Sequence, residues 1–419
     1  MTDIFQDLQW RGLIKDSTDP DELASTLADG KVTFYVGFDP TGPSLHIGHL
    51  TQILTARRLQ RAGLRPLILV GGATGLIGDP KDTGERVLNS PDVVAGWVTK
   101  LQGQLAPFVE FAGDDAATAV NNLDWTGAMS TIEFLRDVGK HFPINQMLSR
   151  EVVKNRLAAG GISFTEFSYQ ILQSNDFYEL HRRHGCAIQF GGSDQWGNIT
   201  AGVDFCRRRG VSVQAFTTPL VTRADGSKFG KTADGQSVWL DANMTSPYAF
   251  YQFWFNTGDA DVGRYLRYFS FRPREEIEEL EKATADRPAA RAAQRALAEE
   301  LTTLVHGERE TAQVTAASRA LFGRGDLTEL DPSTMDAALT EAGLLSVSEL
   351  PSVATLFKET GLCASLSEAR RAVAEGGAYV NNERVTDADA PPGPETLLHN
   401  RFLVLRRGKR TIAGVALTR

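Results

Sequence analysis

Along the first half of the chain, apolar positions alternate between two rhythms. Thr33–Phe38 (TFYVGF) and Arg65–Val70 (RPLILV) are short β-branched or continuously apolar runs bounded by Pro and Gly, and both read as buried strands. Between them Leu45, Leu50, Ile53, Leu54 and Leu59 recur with helical spacing up to Ala62-Gly63, and Ser44 is the expected N-cap. Strand, helix, strand in this order predicts a parallel unit with ligands at the strands' carboxyl ends. Further strands are expected at Cys186–Phe190 and Thr217–Val221, and short helices over residues 1–30, where DPDELASTL is a capped start. Residues 91–145 read as mostly helical. Residues 246–323 read as a helical bundle whose aromatic runs, YAFYQFWF and RYLRYFSF, precede Ala/Glu/Arg-rich amphipathic helices. Residues 325–350 are less periodic, contain Asp331-Pro332 and read as a linker. The tail, from Leu356 to about Arg410, runs helix, then EGGAYVNNERV, then the strand-like RFLVLRRGKR.

Composition narrows the class. At 419 residues, with 42% hydrophobic and 23% charged residues, the chain is an ordinary globular protein of two or three domains. No apolar run is long enough to span a membrane, and the acidic start MTDIFQDLQW lacks a signal-peptide pattern, so a cytoplasmic location is expected. The three cysteines, Cys186, Cys206 and Cys363, lack C-x-x-C spacing, which argues against a disulfide framework and a structural zinc site. The net charge of -8 is uneven: residues 351–419 hold ten Lys/Arg against seven Asp/Glu, net +3, leaving -11 for the rest. A basic tail on an acidic body is compatible with a local RNA contact.

Candidate chemistry gathers at the strand ends. His46 and His49 share one face of a first helical turn, where unpaired backbone N–H groups favour an anion, and Gly48 between them would let a flat ring approach the backbone. That spacing alone suits a nucleotide, a metal pair or a polar helix start. The Gly71-Gly72-Ala73-Thr74-Gly75 segment is neither G-x-G-x-x-G nor a Walker A loop, and its glycines read as allowing close approach of a ligand or of a neighbouring element. Asp79 just beyond it could anchor a cation or be a turn carboxylate. Tyr169, Gln173 and Asp176, at i, i+4 and i+7, form a polar stripe in apolar surroundings, either solvated or buried with partners that a ligand could supply. Gly191-Gly192-Ser193-Asp194-Gln195 follows a strand; Asp194 suits vicinal ribose hydroxyls or an Asx-type turn. Lys228 and Lys231 lie in a Gly-containing loop.

The string Tyr35-Val-Gly-Phe-Asp39-Pro-Thr41 to His46-Ile-Gly48-His49, with Lys228-Phe-Gly-Lys231-Thr about 180 residues later, resembles the two signatures of the class I aminoacyl-tRNA synthetases, and specifically the bacterial tyrosyl-tRNA synthetases. The tail, with Ser365-Leu-Ser-Glu-Ala-Arg370-Arg371 and a downstream G-x-x-x-V-N, resembles an S4-type RNA-binding domain. The resemblance implies an α/β, Rossmann-like parallel-sheet catalytic domain over 1–222. An α-helical domain, starting with the lysine loop, would cover 223–325, a linker 326–350 and a small α+β S4-like domain 351–419. It implies ATP as substrate with Mg²⁺ carried on it and no protein-bound metal, tyrosine and tRNA-Tyr as partners, no DNA or membrane partner, and a homodimer joined between residues 130 and 170. Tyr35 and Asp176 would hold the phenol, with Gly37 beside it. Tyr169, Gln173 and Asp79 would face the ammonium group, and Gln195 the carboxyl group. Asp39, Gly48, His49, Gly192 and Asp194 would hold ATP. Thr41, His46, Lys228, Lys231 and Arg86 would serve the leaving phosphates, and Arg370, Arg371, Arg406, Arg407 and Lys409 the RNA. Three departures stand out: Val36 replaces a small polar residue, the Asp79–Arg86 segment is short, and Phe229-Gly230 is a variant loop interior. The alternatives are tryptophan activation, against which Tyr35, Asp176 and the tail argue, and a non-catalytic RNA-binding relative, against which both histidines, both lysines and Asp194 argue.

Overall fold

The first sheet is built from β1 (Asp16–Ser17), β2 (Thr33–Phe38), β3 (Arg65–Val70), β4 (Thr118–Asn121), β5 (Cys186–Gly192) and β6 (Gln214–Thr218), in the order β1-β6-β5-β2-β3-β4. The computed structural model describes residues 3–80, 84, 88–226, 229–230, 235–408 and 411–418. Two units divide the chain, residues 1–241 with 263–277 and residues 242–262 with 278–419.

In the first unit β2 to β6 are parallel, and only β1 runs antiparallel, on β6. β2 is continued by β3 on one side and flanked by β5 on the other, so the winding reverses between β2 and β5 and opens a crevice at their carboxyl ends. β2 and β3 occupy the residues that their apolar runs predict. β6 lies at 214–218 rather than 217–221, and β4 was not expected: a four-residue edge strand after Asp114-Asp115-Ala116-Ala117 gives little periodic signal. The expected cap at Ser44 is also corrected. Ser44 Oγ instead accepts from Gln104 and Asp241, while His46 caps a short turn, Ile47–His49, that leads into the Leu50–Arg61 helix. The polar stripe lies on the Phe164–His184 helix, which Ser163 caps and which ends at left-handed Gly185. Beneath it Tyr35, Leu67, Leu69, Trp125, Phe177 and Leu180 form a buried apolar cluster.

The second unit carries helices Pro247–Phe255, Ala292–His306 and Glu308–Ala320, and a sheet of β7 (Leu344–Val347), β8 (Ala378–Val380), β9 (Glu383–Arg384), β10 (Phe402–Arg407) and β11 (Thr411–Leu417), ordered β7-β11-β10-β8-β9. Asn381 and Asn382, at φ 47° and 68°, form the two-residue turn between β8 and β9. The proposed linker 326–350 is corrected here. It contains the Pro332–Ala342 helix and β7, which pairs in parallel with β11. Its weak periodicity reflects short elements that bury their faces on one another. Among the described residues no helix is long and apolar enough to cross a membrane.

Gly414 of β11 tests this packing, because a Cβ there would sit 2.6 Å from Leu339 Cβ and 2.8 Å from Leu344 Cδ1. Gly414→Ala should therefore destabilise the second unit by about 1–3 kcal/mol in urea unfolding; an unchanged midpoint would mean that residues 332–347 do not pack on β11 in solution.

Candidate active site

A cavity of about 410 Å³ opens at the carboxyl ends of β2 and β5. It is lined by Tyr35, Gly37, Asp39, Thr41, His46, Gly48, His49, Asp79, Tyr169, Gln173, Asp176, Gly192, Asp194 and Gln195, all expected from the sequence. Arg86, Lys228, Lys231 and Lys409 lie outside the described residues.

At the deep end Asp176 is 2% exposed. Its Oδ2 accepts from Asn122 Nδ2 at 2.9 Å and its Oδ1 from Trp125 Nε1 at 2.8 Å. Burial outweighs these two neutral donors and pushes the carboxyl pKa up to about 7. The Tyr35 hydroxyl beside it is buried without a hydrogen-bond partner, and Gln173 Oε1 and Gln189 Oε1 are likewise unpartnered. Leaving a buried polar atom unpaired costs about 1–3 kcal/mol, so a pocket that carries several is prepared for polar groups from outside. Asn122 and Trp125 were missed because β4 was missed; neither belongs to a periodic pattern.

Asp39, expected to hold ATP, accepts at its Oδ2 from the Tyr169 hydroxyl at 2.7 Å and at its Oδ1 from Thr74 Oγ1 at 2.7 Å, which ties the carboxylate to the helix that carries the polar stripe and to the glycine-rich segment. The glycine-rich segment is explained by the same crowding. A Cβ at Gly71 would overlap Thr74 Oγ1 and Asp39 Oδ1, and one at Gly75 would sit 2.7 Å from Pro40 Cγ. These glycines admit neighbouring protein groups to the backbone.

At the opposite end Asp79 Oδ2 accepts from Gln195 Nε2 at 2.9 Å and Oδ1 from Asn198 Nδ2 at 3.1 Å. Gln195 Nε2 also reaches Asp194 Oδ2 at 3.2 Å. In the histidine turn the His46 N–H donates to His49 Nδ1 and the Gly48 N–H to His46 Nδ1, each at 3.1 Å, which leaves Nε2–H of each ring as the donor. Desolvation and the adjacent His46 hold His49 down at about 3, so it is neutral at physiological pH. The ring that lies against Gly48 is that of His46, 2.8 Å from a Cβ built there. The segment that leaves the lysine loop is tied to this turn, through Ile47 N to Val238 O at 3.0 Å and Leu240 N to Leu45 O at 2.8 Å. Among the described residues no group of three or more His, Cys, Asp or Glu is arranged to hold a metal ion.

In the tail, Arg371 is exposed and Arg370 is exposed but paired with Asp389 at 2.9 Å. Arg407 donates to Glu368 and to the Leu362 carbonyl, both at 2.8 Å. Arg406, expected to face RNA, is 9% exposed and opposite Tyr379 in register, with its guanidinium 4.0 Å from that ring's centre.

Residues 27–323 match the family model for class I tRNA synthetases (W and Y), and residues 345–413 match that of the tyrosine–tRNA ligase SYY-like C-terminal domain. A tyrosine–tRNA ligase of Streptomyces coelicolor is 62% identical over 421 residues, covering 100% of both chains, and one of Kineococcus radiotolerans is 60% identical with 99% of both covered. Among solved structures, a C-terminally truncated mitochondrial tyrosyl-tRNA synthetase of Aspergillus nidulans superposes with a TM-score of 0.69 at 33% identity, over 77% of this chain and 95% of that one.

Asp176 makes a pH prediction. Its folded pKa of about 7 lies above the ordinary 3.8, so the folded chain holds a proton that the unfolded chain has lost, and the stability this contributes disappears as pH rises from about 4 to 7. Asp176→Asn should remove that slope. Urea unfolding of both proteins between pH 4 and 8 would show the variant gaining relative to wild type as pH rises; parallel curves would place the ionisation elsewhere.

Proposed function

We propose how the cavity divides its work from the premise that the chain belongs to the tyrosine–tRNA ligases, within the class I tRNA synthetases of the tryptophan and tyrosine branch. Its reaction joins tyrosine to tRNA. The tyrosine carboxylate attacks the α-phosphorus of MgATP, the bond to the β-phosphate breaks and pyrophosphate leaves. The terminal ribose hydroxyl of tRNA-Tyr then attacks the carbonyl of tyrosyl-adenylate and AMP leaves.

The observation that carries the division of residues is the pairing of unsatisfied polar atoms at one end of the cavity with a carboxylate and amide ring at the other. Tyr35 and Asp176 take the phenol. A buried acceptor left unpaired is the penalty paid by phenylalanine, which lacks the hydroxyl. Asp79 takes the ammonium group, with Gln173 and with Tyr169 as Asp39 holds it. Gln195 stands by the carboxyl group, Asp194 and Gly192 hold the ribose, and Gly48 and His49 pack against the nucleoside. The nucleophile is already ionised, so this step needs alignment and charge stabilisation and no general base. Thr41, the Nε2–H of His46, Lys228, Lys231 and Arg86 serve the departing phosphates. The C-terminal domain acts as an S4-like RNA-binding domain through Arg370 and Arg371 on its Leu366–Ala374 helix. The protein works in the cytoplasm as a homodimer. Ile132, Leu135, Ile144, Leu157 and Phe164, 49–70% exposed within one stretch of sequence, support an apolar subunit interface.

ATP–pyrophosphate exchange should proceed with tyrosine and with neither phenylalanine nor tryptophan, and Asp176→Ala should lose most of the exchange with tyrosine. Undiminished exchange in that variant would remove Asp176 from phenol recognition. Phe164→Asp should turn the dimer into a monomer by light scattering, and an unchanged mass would move the interface away from this stretch.

A further inference from the structure

Asn198 stands in the first turn of the Trp196–Arg208 helix, 2% exposed and behind the cavity wall. Its Nδ2 donates to Asp79 Oδ1 at 3.1 Å and to Gln195 Oε1 at 3.0 Å. Both partners accept only, so the amide can face one way: turned over, its carbonyl would meet a carboxylate and a second carbonyl. Gln195 spends its own Nε2 on Asp79 Oδ2 at 2.9 Å and on Asp194 Oδ2 at 3.2 Å. Each oxygen of Asp79 is thus held by a different amide, and the two amides hold each other. Asn198 Oδ1 is buried with no partner, so the side chain is not kept for its own satisfaction. An apolar residue would fill the position without leaving an unpaired acceptor.

We propose that Asn198 is a positioning residue for amino-acid recognition. It sets the plane of the Asp79 carboxylate that receives the substrate ammonium, and it turns the Gln195 amide so that its N–H groups face Asp79 and Asp194. The ammonium end and the ribose end of the site are thereby kept in register without Asn198 touching substrate. The proposal rests on the reading of this cavity as the site of tyrosine and ATP.

The test is equilibrium binding of three ligands to wild type, Asn198→Ala and Asn198→Leu: tyrosine, tyramine, which keeps the ammonium and lacks the carboxylate, and 3-(4-hydroxyphenyl)propionate, which keeps the carboxylate and lacks the ammonium. Loss of a hydrogen bond to a charged group predicts about 10- to 100-fold weaker binding of tyrosine and tyramine in both variants, with a clearly smaller loss for the propionate, which meets Gln195 but not Asp79. Leucine restores the bulk of the side chain without its donors. Wild-type affinity in Asn198→Leu alone would therefore mean that Asn198 only fills space. Equal losses for all three ligands would also overturn the proposal, by making Asn198 a general support of the wall. A wild type that binds none of the three would overturn the reading of the cavity itself, and the proposal with it.

Discussion

Asp176 accepts one hydrogen bond from an amide and one from an indole, and because neither donor is charged, burial dominates and its pKa rises to about 7. A carboxylate placed so is costly unless something in the working protein offers it another donor. Three separate pieces of chain converge to create the situation. The Phe164–His184 helix brings the carboxylate, the end of β4 brings Asn122, and the short turn after it brings Trp125. The neighbouring Tyr35 hydroxyl, buried and unpartnered, extends the same demand from β2. The sheet order contributes, because the reversal between β2 and β5 opens a crevice at the strands' carboxyl ends in which polar groups can gather.

What was legible in the sequence follows from how local the cause is. β2 and β3 are continuous apolar runs with turn residues at their ends, and they lie where those runs place them. The stripe of Tyr169, Gln173 and Asp176 needs only helical spacing, and it lies along one cavity wall. Asn122, Trp125 and Asn198 were not legible, since each acquires its role from a partner at least 51 residues away or from an edge strand too short to show a period. Ser44 carries the chemistry of a cap but is drawn off by Gln104 and Asp241, elements that no local rule brings near.

The tail shows the same limit from the side of charge. Counting arginines predicts a basic surface, yet the register of β10 on β8 sets Arg406 across from Tyr379, where stacking and burial claim the guanidinium. Arg407, one residue on, points to the other face of the strand and is taken by Glu368 and a backbone carbonyl. Charge along a strand is therefore a poor guide to charge on a surface until pairing is known. On the tail's Leu366–Ala374 helix Arg370 and Arg371 stay exposed, Arg370 in an ion pair with Asp389.

The groups around the cavity also agree with a reaction that moves no proton in its first step. A site built for proton transfer would hold a histidine near neutrality, where it can both give and take. Here desolvation and His46 keep His49 neutral at a pKa of about 3, with its Nδ1 already accepting from the backbone, so only its Nε2–H remains to donate. Of the carboxylates, Asp39 is held by two hydroxyls and Asp79 by two amides, each arrangement fixing an orientation, while Asp176, raised to about 7, is tied to the N–H donors of Asn122 and Trp125, neither of which can take a proton from it. Rigid donors and acceptors with fixed directions suit the alignment of an ionised carboxylate with a phosphorus atom, where rate depends on geometry and on charge already in place.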